Sequence, residues 1–346
     1  MTFEPEPLTF KPLLKKRAWG GRSLGESDGM PYGESWELAD LPDSIPGGRS
    51  IIARGQWEGR SLDQLLAEHA PMVMGKVPLL DGERFPLLIK FLDAMENLSV
   101  QVHPDTAYAD AHPDAFLKTE AWVVMSAEPG ARLYRGIDPS ITPEQFKNDI
   151  LADDVTSDLL SFQARPGDCI YLPSGTCHAL GGGMLVAEVQ TPSDTTFRVY
   201  DWGRNQADRP LHIDQAMECI HFGPEPVDAP PPLVNADNAP RITADGVTTL
   251  VLARNEYFTI ERLMVDEDRV IDVHPNQGPI VWMLLDGRCS MHWNDDQLQL
   301  QRRQTVLWPA SLNNGSIRMG PQTGLLRVTP AGGLDSLMAK SDDRST

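Results

Sequence analysis

Apolar residues along this chain come in short bursts, each about one strand long. FPLLIKFLDA (85–94), TEAWVVMSA (119–127), GPIVWMLLDG (278–287) and GLLRVTP (324–330) are four of them. Runs of this length, rich in β-branched and aromatic residues and bounded by turn formers, predict buried strands. A further strand is expected over 97–102, and a short one in YGESWELAD. Helical spacing is rarer. SLDQLLAEHA (61–70) sets Leu62, Leu65 and Leu66 on one face behind Ser61, a suitable N-cap. Residues 112–116 predict a turn or short helix. SITPEQFKNDI and the stretch to Leu160 predict two helices, the first opened by Ser140 or Thr142. From 165 to 203, RPGDCIYLPSGTCHALGGGMLVAEVQTPSDTTFRVYDWG reads as three strand-like runs separated by sharp turns.

HFGPEPVDAPPPLVNADNAP (221–240) has three consecutive prolines and no apolar period, the mark of a linker or of a long ordered crossing loop. Many short strands follow. A faint repeat is visible: GDCIYLPSG and RQTVLWPAS both end a strand in an apolar residue, a proline and a small polar residue. It hints at two related β-barrels. The closing MAKSDDRST is expected to be disordered.

Composition narrows the classes. In 346 residues, 29 Pro and 28 Gly suit short strands and turns. A formal charge of −19 repels nucleic acid and anionic membrane, so neither is an expected partner, and no protein partner is implied. Any site for an anion must then be a local cluster of Lys and Arg. The four cysteines form no CxxC pair. The first residues carry no secretory h-region and no run approaches eighteen apolar residues, so a cytoplasmic location is expected.

The eight histidines are few enough to question singly. Gln101 and His103 stand two apart in LSVQVHPDT, so in a strand they face the same way. Glu120 opens the TEAWVV strand and His178 follows PSGT in a turn. Imidazoles and a carboxylate suit zinc or a similar divalent ion, and Gln101 adds an amide oxygen. A barrel gathers such distant positions into one interior. The alternative is two ordinary histidines satisfied by backbone groups. Gly181, Gly182 and Gly183 are not a phosphate loop, because no GK[ST] follows; a tight turn with positive φ explains them.

The spacing Gly167-x5-Pro173-x4-His178 resembles the second metal-ligand motif of cupins, with Gln101-x-His103 where the first motif has a His pair. The likeness then becomes close. GESWELAD (33–40), LLIKFLDAMENLSVQVHPD (87–105), KTEAW (118–122), LPSGTCHAL (172–180) and VAEVQTPSDTTFRVYDWGR (186–204) run in the order of the short, bacterial type I phosphomannose isomerases. The resemblance implies a mainly β chain of two cupin-type, jelly-roll-like barrels with a small helical insertion. It implies an N-terminal catalytic cupin domain over 1–225, with a helical segment about 140–160, and a degenerate cupin domain over 240–336. Residues 337–346 form the expected disordered tail.

The resemblance further implies a zinc-dependent interconversion of mannose 6-phosphate and fructose 6-phosphate, with a phosphorylated hexose as partner. His103, Glu120 and His178 are the implied metal ligands, and Gln101 matches a position that ligates in some branches. Arg198 and Lys118 are implied at the active site. Arg204, Lys90 and Glu37 are further substrate-binding candidates. Ala121 and Phe197 depart from the cysteine and tyrosine more often found there. Two other classes stay open on the residues alone: a metal-dependent cupin dioxygenase, and a sugar-binding cupin without turnover.

Overall fold

The structure, a computed structural model, describes residues 3–25, 30–204, 209–227, 229–275 and 277–331. The chain is mainly β, of the cupin fold. It divides into two compact units. One, here the central unit, comprises Leu14–Trp36 and Leu88–Asn235. The other, the terminal unit, comprises the described parts of Met1–Leu13, Glu37–Leu87 and Ala236–Thr346. The proline-rich stretch does sit near a boundary. The described parts of 1–13 and residues 37–87 nevertheless group with the terminal unit rather than with a single domain over 1–225. The reason is long-range strand pairing: Leu8 and Thr9 pair with Leu307 and Val306, which places the first strand in the terminal unit. The tail 337–346 lies outside the described residues.

In the central unit the larger sheet has seven strands among the described residues. Their order is Leu233–Val234, Cys169–Leu172, Glu120–Ala127, Met184–Gln190, Leu88–Ala94, Glu34–Leu38, Leu13–Lys15. Facing it is a five-stranded sheet in the order Phe197–Tyr200, Val100–Val102, His178–Leu180, Arg132–Ile137, Leu159–Gln163. Leu92, Trp122, Val124 and Val186 of the first sheet share a core with Leu133 and Leu180 of the second. Two-residue alternation makes this possible, since successive side chains leave a strand on opposite faces. Val100 and Val102 point away from that core, into a layer with Phe146, Ile150 and Ala216 of two helices, Pro143–Leu151 and Ile213–Cys219. Gln101, between them, is thereby turned inward.

The terminal unit repeats the plan. Its larger sheet runs Leu8–Thr9, Thr305–Trp308, Ile280–Asp286, Thr323–Pro330, Phe258–Val265, Val247–Arg254, Arg241–Ala244. Its smaller sheet runs Arg269–Asp272, Gly315–Met319, Cys289–Trp293, Asp296–Leu300. Leu263, Trp282 and Leu325 meet Met291 and Ile317 between them. The repeat seen in the sequence is therefore structural: Cys169–Leu172 and Thr305–Trp308 are both second in order, each followed by its proline. Register matches as well. Trp122, Glu188 and Lys90 lie side by side on adjacent strands of the central unit. Trp282, Arg327 and Glu261 occupy the same places in the terminal unit.

Several local expectations change. The helix opened by Ser61 is Leu62–Met74, and its Gln64 side chain accepts from the Ser61 N–H at 3.2 Å. The turn expected at 112–116 is preceded by a helix, Thr106–Ala111, capped by Asp105, which accepts from Tyr108 N–H at 2.8 Å. Thr142, not Ser140, caps Pro143–Leu151. The second helix expected up to Leu160 is only a 3-10 turn, Val155–Asp158, before the strand Leu159–Gln163. Of the three glycines after Leu180, only Gly183 has positive φ, at 77°. Gly181 and Gly182 instead sit against the backbone of Arg132 and of Met95 and Glu96, where a Cβ would collide. The four cysteines are buried and unpaired.

Candidate active site

Two features meet inside the central unit. The first is a triad of ligand atoms from His103, Glu120 and His178, all within 4.8 Å of one another and all buried. His178 Nε2 lies 3.2 Å from Glu120 Oε1, and His103 Nε2 lies 3.5 Å from Glu120 Oε2. The Nδ1 atoms are already used: that of His103 donates to the Thr195 carbonyl at 3.0 Å, that of His178 to the Thr176 carbonyl at 2.8 Å. Such bonds fix the tautomer and turn both Nε2 lone pairs toward the carboxylate. Burial, then the Lys118 charge, lowers the His103 pKa to about 3, so the ring is neutral near pH 7. Burial works upward on Glu120, but the Lys118 charge leads the groups that outweigh it and hold the carboxyl well below its usual range. Among the described residues neither Glu120 oxygen has a well-aligned hydrogen bond, although Lys118 Nζ is 2.7 Å from Oε2. Two neutral imidazoles and an ionised carboxylate with unsatisfied oxygens, converging at this distance, fit a divalent cation of zinc's type.

Strand registry assembles the triad. Gln101 stands opposite His178 on one side and Arg198 on the other. Gln101 Nε2 is 3.4 Å from His178 Nε2, and Ser99 Oγ donates to Gln101 Oε1 at 3.5 Å. Glu120 arrives from the opposing sheet, where it pairs with Leu172 and Gln190.

The second feature is a cavity of about 420 Å³ beside the triad. Lys118 and Gln101 line it and touch the triad from that side. Its wall carries six cations, Lys16, Arg17, Lys90, Lys118, Arg198 and Arg209. Against them stand three carboxylates, Glu34, Glu188 and Asp194. In a chain of −19 this is the local positive cluster that an anionic ligand requires. The cations are unevenly matched. Arg17 Nε donates to Glu34 at 2.6 Å, and Lys90 Nζ lies 2.9 Å from Glu188. Burial favours a neutral Glu34, but the Lys90 and Arg17 charges prevail and bring its pKa down to about 2. Burial raises that of Glu188, against the pull of Lys90. Burial works against the Lys90 charge, but Glu188 and Glu34 outweigh it and raise the pKa.

The family description "Phosphomannose isomerase type I, catalytic domain" matches residues 8–130. A mannose-6-phosphate isomerase of Streptococcus mutans is 35% identical over 75% of this chain and 79% of that protein. The chain belongs to the type I phosphomannose isomerase family. A probable mannose-6-phosphate isomerase of Bacillus subtilis is 38% identical, over 73% of this chain and 78% of the relative. Among solved structures, a mannose 6-phosphate isomerase from Bacillus subtilis superimposes with a TM-score of 0.79 at 27% identity. That match covers 93% of this chain and 99% of the other.

Among the residues singled out in the sequence, the fold of this family member brings Gln101, His103, Glu120, His178, Lys118, Lys90 and Arg198 together. Arg204 is not at the cavity: its Nη2 donates to the Asn97 carbonyl at 2.7 Å and to Asp201 at 2.9 Å. Glu37 is buried but belongs to the terminal unit and does not line the cavity either. Sequence reasoning missed Arg17, Glu34, Glu188, Asp194 and Arg209. A signal existed for Glu188, a lone charge in the apolar run MLVAEVQ, and for Glu34, which heads ESWEL. For Arg209 there was none. Among the described residues no helix is long and apolar enough to cross a membrane.

Proposed function

We infer that the chain interconverts mannose 6-phosphate and fructose 6-phosphate through an enediol, with zinc held by His103, Glu120 and His178 and with Gln101 beside them. The observation that carries this reading is the join of a tautomer-fixed His/Glu/His triad to a cationic cavity through Lys118 and Gln101. A bound divalent ion supplies Lewis-acid stabilisation of negative charge on the sugar oxygens. The chain's own groups supply the rest. Arg198 is always charged, so it donates hydrogen bonds and steadies the enediolate oxygen rather than moving protons. Lys118 donates from Nζ at the same end of the cavity. The proton that travels between C1 and C2 needs a base whose affinity lies near working pH. Glu34, held at about 2 by its cations, takes up no proton there. Glu188 lines the cavity, and burial raises its affinity for a proton against the pull of Lys90, which makes it one candidate to accept and return that proton. The relatives named mannose-6-phosphate isomerase favour this reading over oxygen chemistry and over sugar binding without turnover.

The test is turnover of mannose 6-phosphate by purified protein with its metal quantified, before and after chelation and after zinc is restored. Activity that disappears with the metal and returns with zinc is expected. A folded, zinc-loaded protein that leaves mannose 6-phosphate unchanged overturns the reading.

A further inference from the structure

The cations around the cavity are not equivalent, and the difference locates an anion subsite. Arg17 is matched by Glu34, Lys90 by Glu188 and Lys118 by Glu120, at 2.6, 2.9 and 2.7 Å. Lys16 is exposed. Asp194 acts on Lys15, Arg17 and Lys90, at the already balanced end. Arg198 and Arg209 are left. The Arg198 guanidinium makes one hydrogen bond, to the Pro210 carbonyl at 2.9 Å, and its Nε is buried with no partner among the described residues. Burial and the adjacent Arg209 charge lower its pKa, the mark of a cation short of a counter-ion.

Arg209 reaches the cavity because of a carboxylate behind it. Asp201, 5% exposed at its side chain, accepts from Arg209 Nε at 2.9 Å and from Nη2 at 3.1 Å, a two-pronged fork. The same carboxylate accepts from Arg204 Nη2 at 2.9 Å. Arg204 also meets Glu96 at 3.4 Å, so Asp201 and Glu96 balance Arg204 and Arg209, and Arg198 leaves the cluster at +1. The residues on either side of Arg209 are held by hydrogen bonds. Trp202 sits at φ 55°, a left-handed conformation unfavourable to a bulky residue, and its indole donates to the Leu98 carbonyl at 2.6 Å. On the other side His212 N–H donates to the Arg198 carbonyl at 2.7 Å, and Arg198 N–H donates to His212 Nδ1 at 3.3 Å. The segment Arg209–His212 is thus strapped along the Arg198 strand.

We propose that Arg209, aimed by Asp201 beside Arg198, is the specificity-determining residue that recognises the phosphoryl group of the substrate. Arg204, which chemistry alone made a candidate, is instead a positioning residue on the same carboxylate. A dianion between two guanidiniums suits the fork geometry of arginine better than the point charge of lysine. The proposal rests on the sugar-phosphate reading above.

The test uses zinc-loaded full-length protein and two probes: mannose 6-phosphate in turnover, and inorganic phosphate, whose binding is measured by calorimetry and needs no turnover. In Arg209→Gln, KM and the phosphate dissociation constant are expected to rise together by about tenfold or more, with kcat within about threefold of wild type. Asp201→Asn should move both in the same direction, and the double variant should add little to Arg209→Gln. Arg209→Lys, which keeps the charge without the fork, should fall between and serves if the glutamine variant unfolds. Wild-type KM and phosphate affinity in the folded Arg209 variants overturn the proposal, as does a loss confined to kcat. If wild-type protein binds phosphate through Arg209 but turns over no mannose 6-phosphate, the isomerase reading fails while the anion subsite stands.

Discussion

The two barrels are built on one strand order, yet only one of them holds the chemistry. At the place where Glu120 pairs with Leu172 in the central unit, Ile280 pairs with Trp308 in the terminal unit. His178 opens its strand in the first; Gly315 opens the corresponding strand in the second, and a Cβ there would run into the Trp308 ring. The charged pair one step along survives in both but with its signs exchanged: Lys90 and Glu188 against Glu261 and Arg327. Even the tryptophan beside it is kept, although Trp122 Nε1 donates to Glu188 at 2.7 Å and Trp282 Nε1 has no partner among the described residues. Strand order and register are therefore scaffold properties. Function lies in which interior positions are polar and how deeply they are buried.

The sharpest break of this comparison is to delete its defining residue. Glu120→Ala should lower turnover by about 1,000-fold or more and empty the site of zinc, read by steady-state rates and metal analysis. The converse, Ile280→Glu, should create no metal site. It should destabilise the fold by several kcal/mol, on the order expected for an unpaired buried carboxylate, read by denaturant unfolding. Next come the charge pairs. Lys90→Ala strands a buried Glu188 and should cost about 3–5 kcal/mol. Arg327→Ala, at a side chain 34% exposed, should cost about 1 kcal/mol or less. Equal losses at the two positions would refute the claim that depth separates the barrels.

A pH experiment tests the cavity wall. The folded Glu34 pKa, about 2, lies below its unfolded value near 4.5, so the unfolded chain takes the proton first. The associated stability, about 3 kcal/mol, is present above pH 4.5 and drains away as pH falls toward 2. Glu34→Gln should flatten that stretch of the stability curve, and an unchanged slope would count against it. The smallest effect concerns the paired tryptophans. Trp122→Phe should cost about 1–2 kcal/mol more than Trp282→Phe, because only the first loses a hydrogen bond to a carboxylate.

Much of this site was legible along the chain. Gln101 and His103 face one way because strand side chains alternate, and the flanking Val100 and Val102 declare the other face. The family motifs then tied Glu120 and His178 to them. Arg17 and Arg209 were not legible, since the carboxylates they pair with lie on or just after other strands and no linear spacing encodes that. The same limit explains the units. Composition exposed the prolines near 230, but only the pairing of Leu8 with Leu307 places the first strand in the terminal unit. The helix expected before Leu160 failed for a local reason: Asp153 sits at φ 62°, left-handed, and breaks the helical path before Val155.

The contact between Gly315 and the Trp308 ring has a practical side. Anyone wishing to engineer a second catalytic centre into this chain would find the vacant half already supplied with the correct strand order, pairing and a charged couple. The obstacle is volume. No histidine can be seated at position 315 until Trp308 gives way to something smaller, and the first substitution in such a redesign is therefore one that carries no chemistry at all.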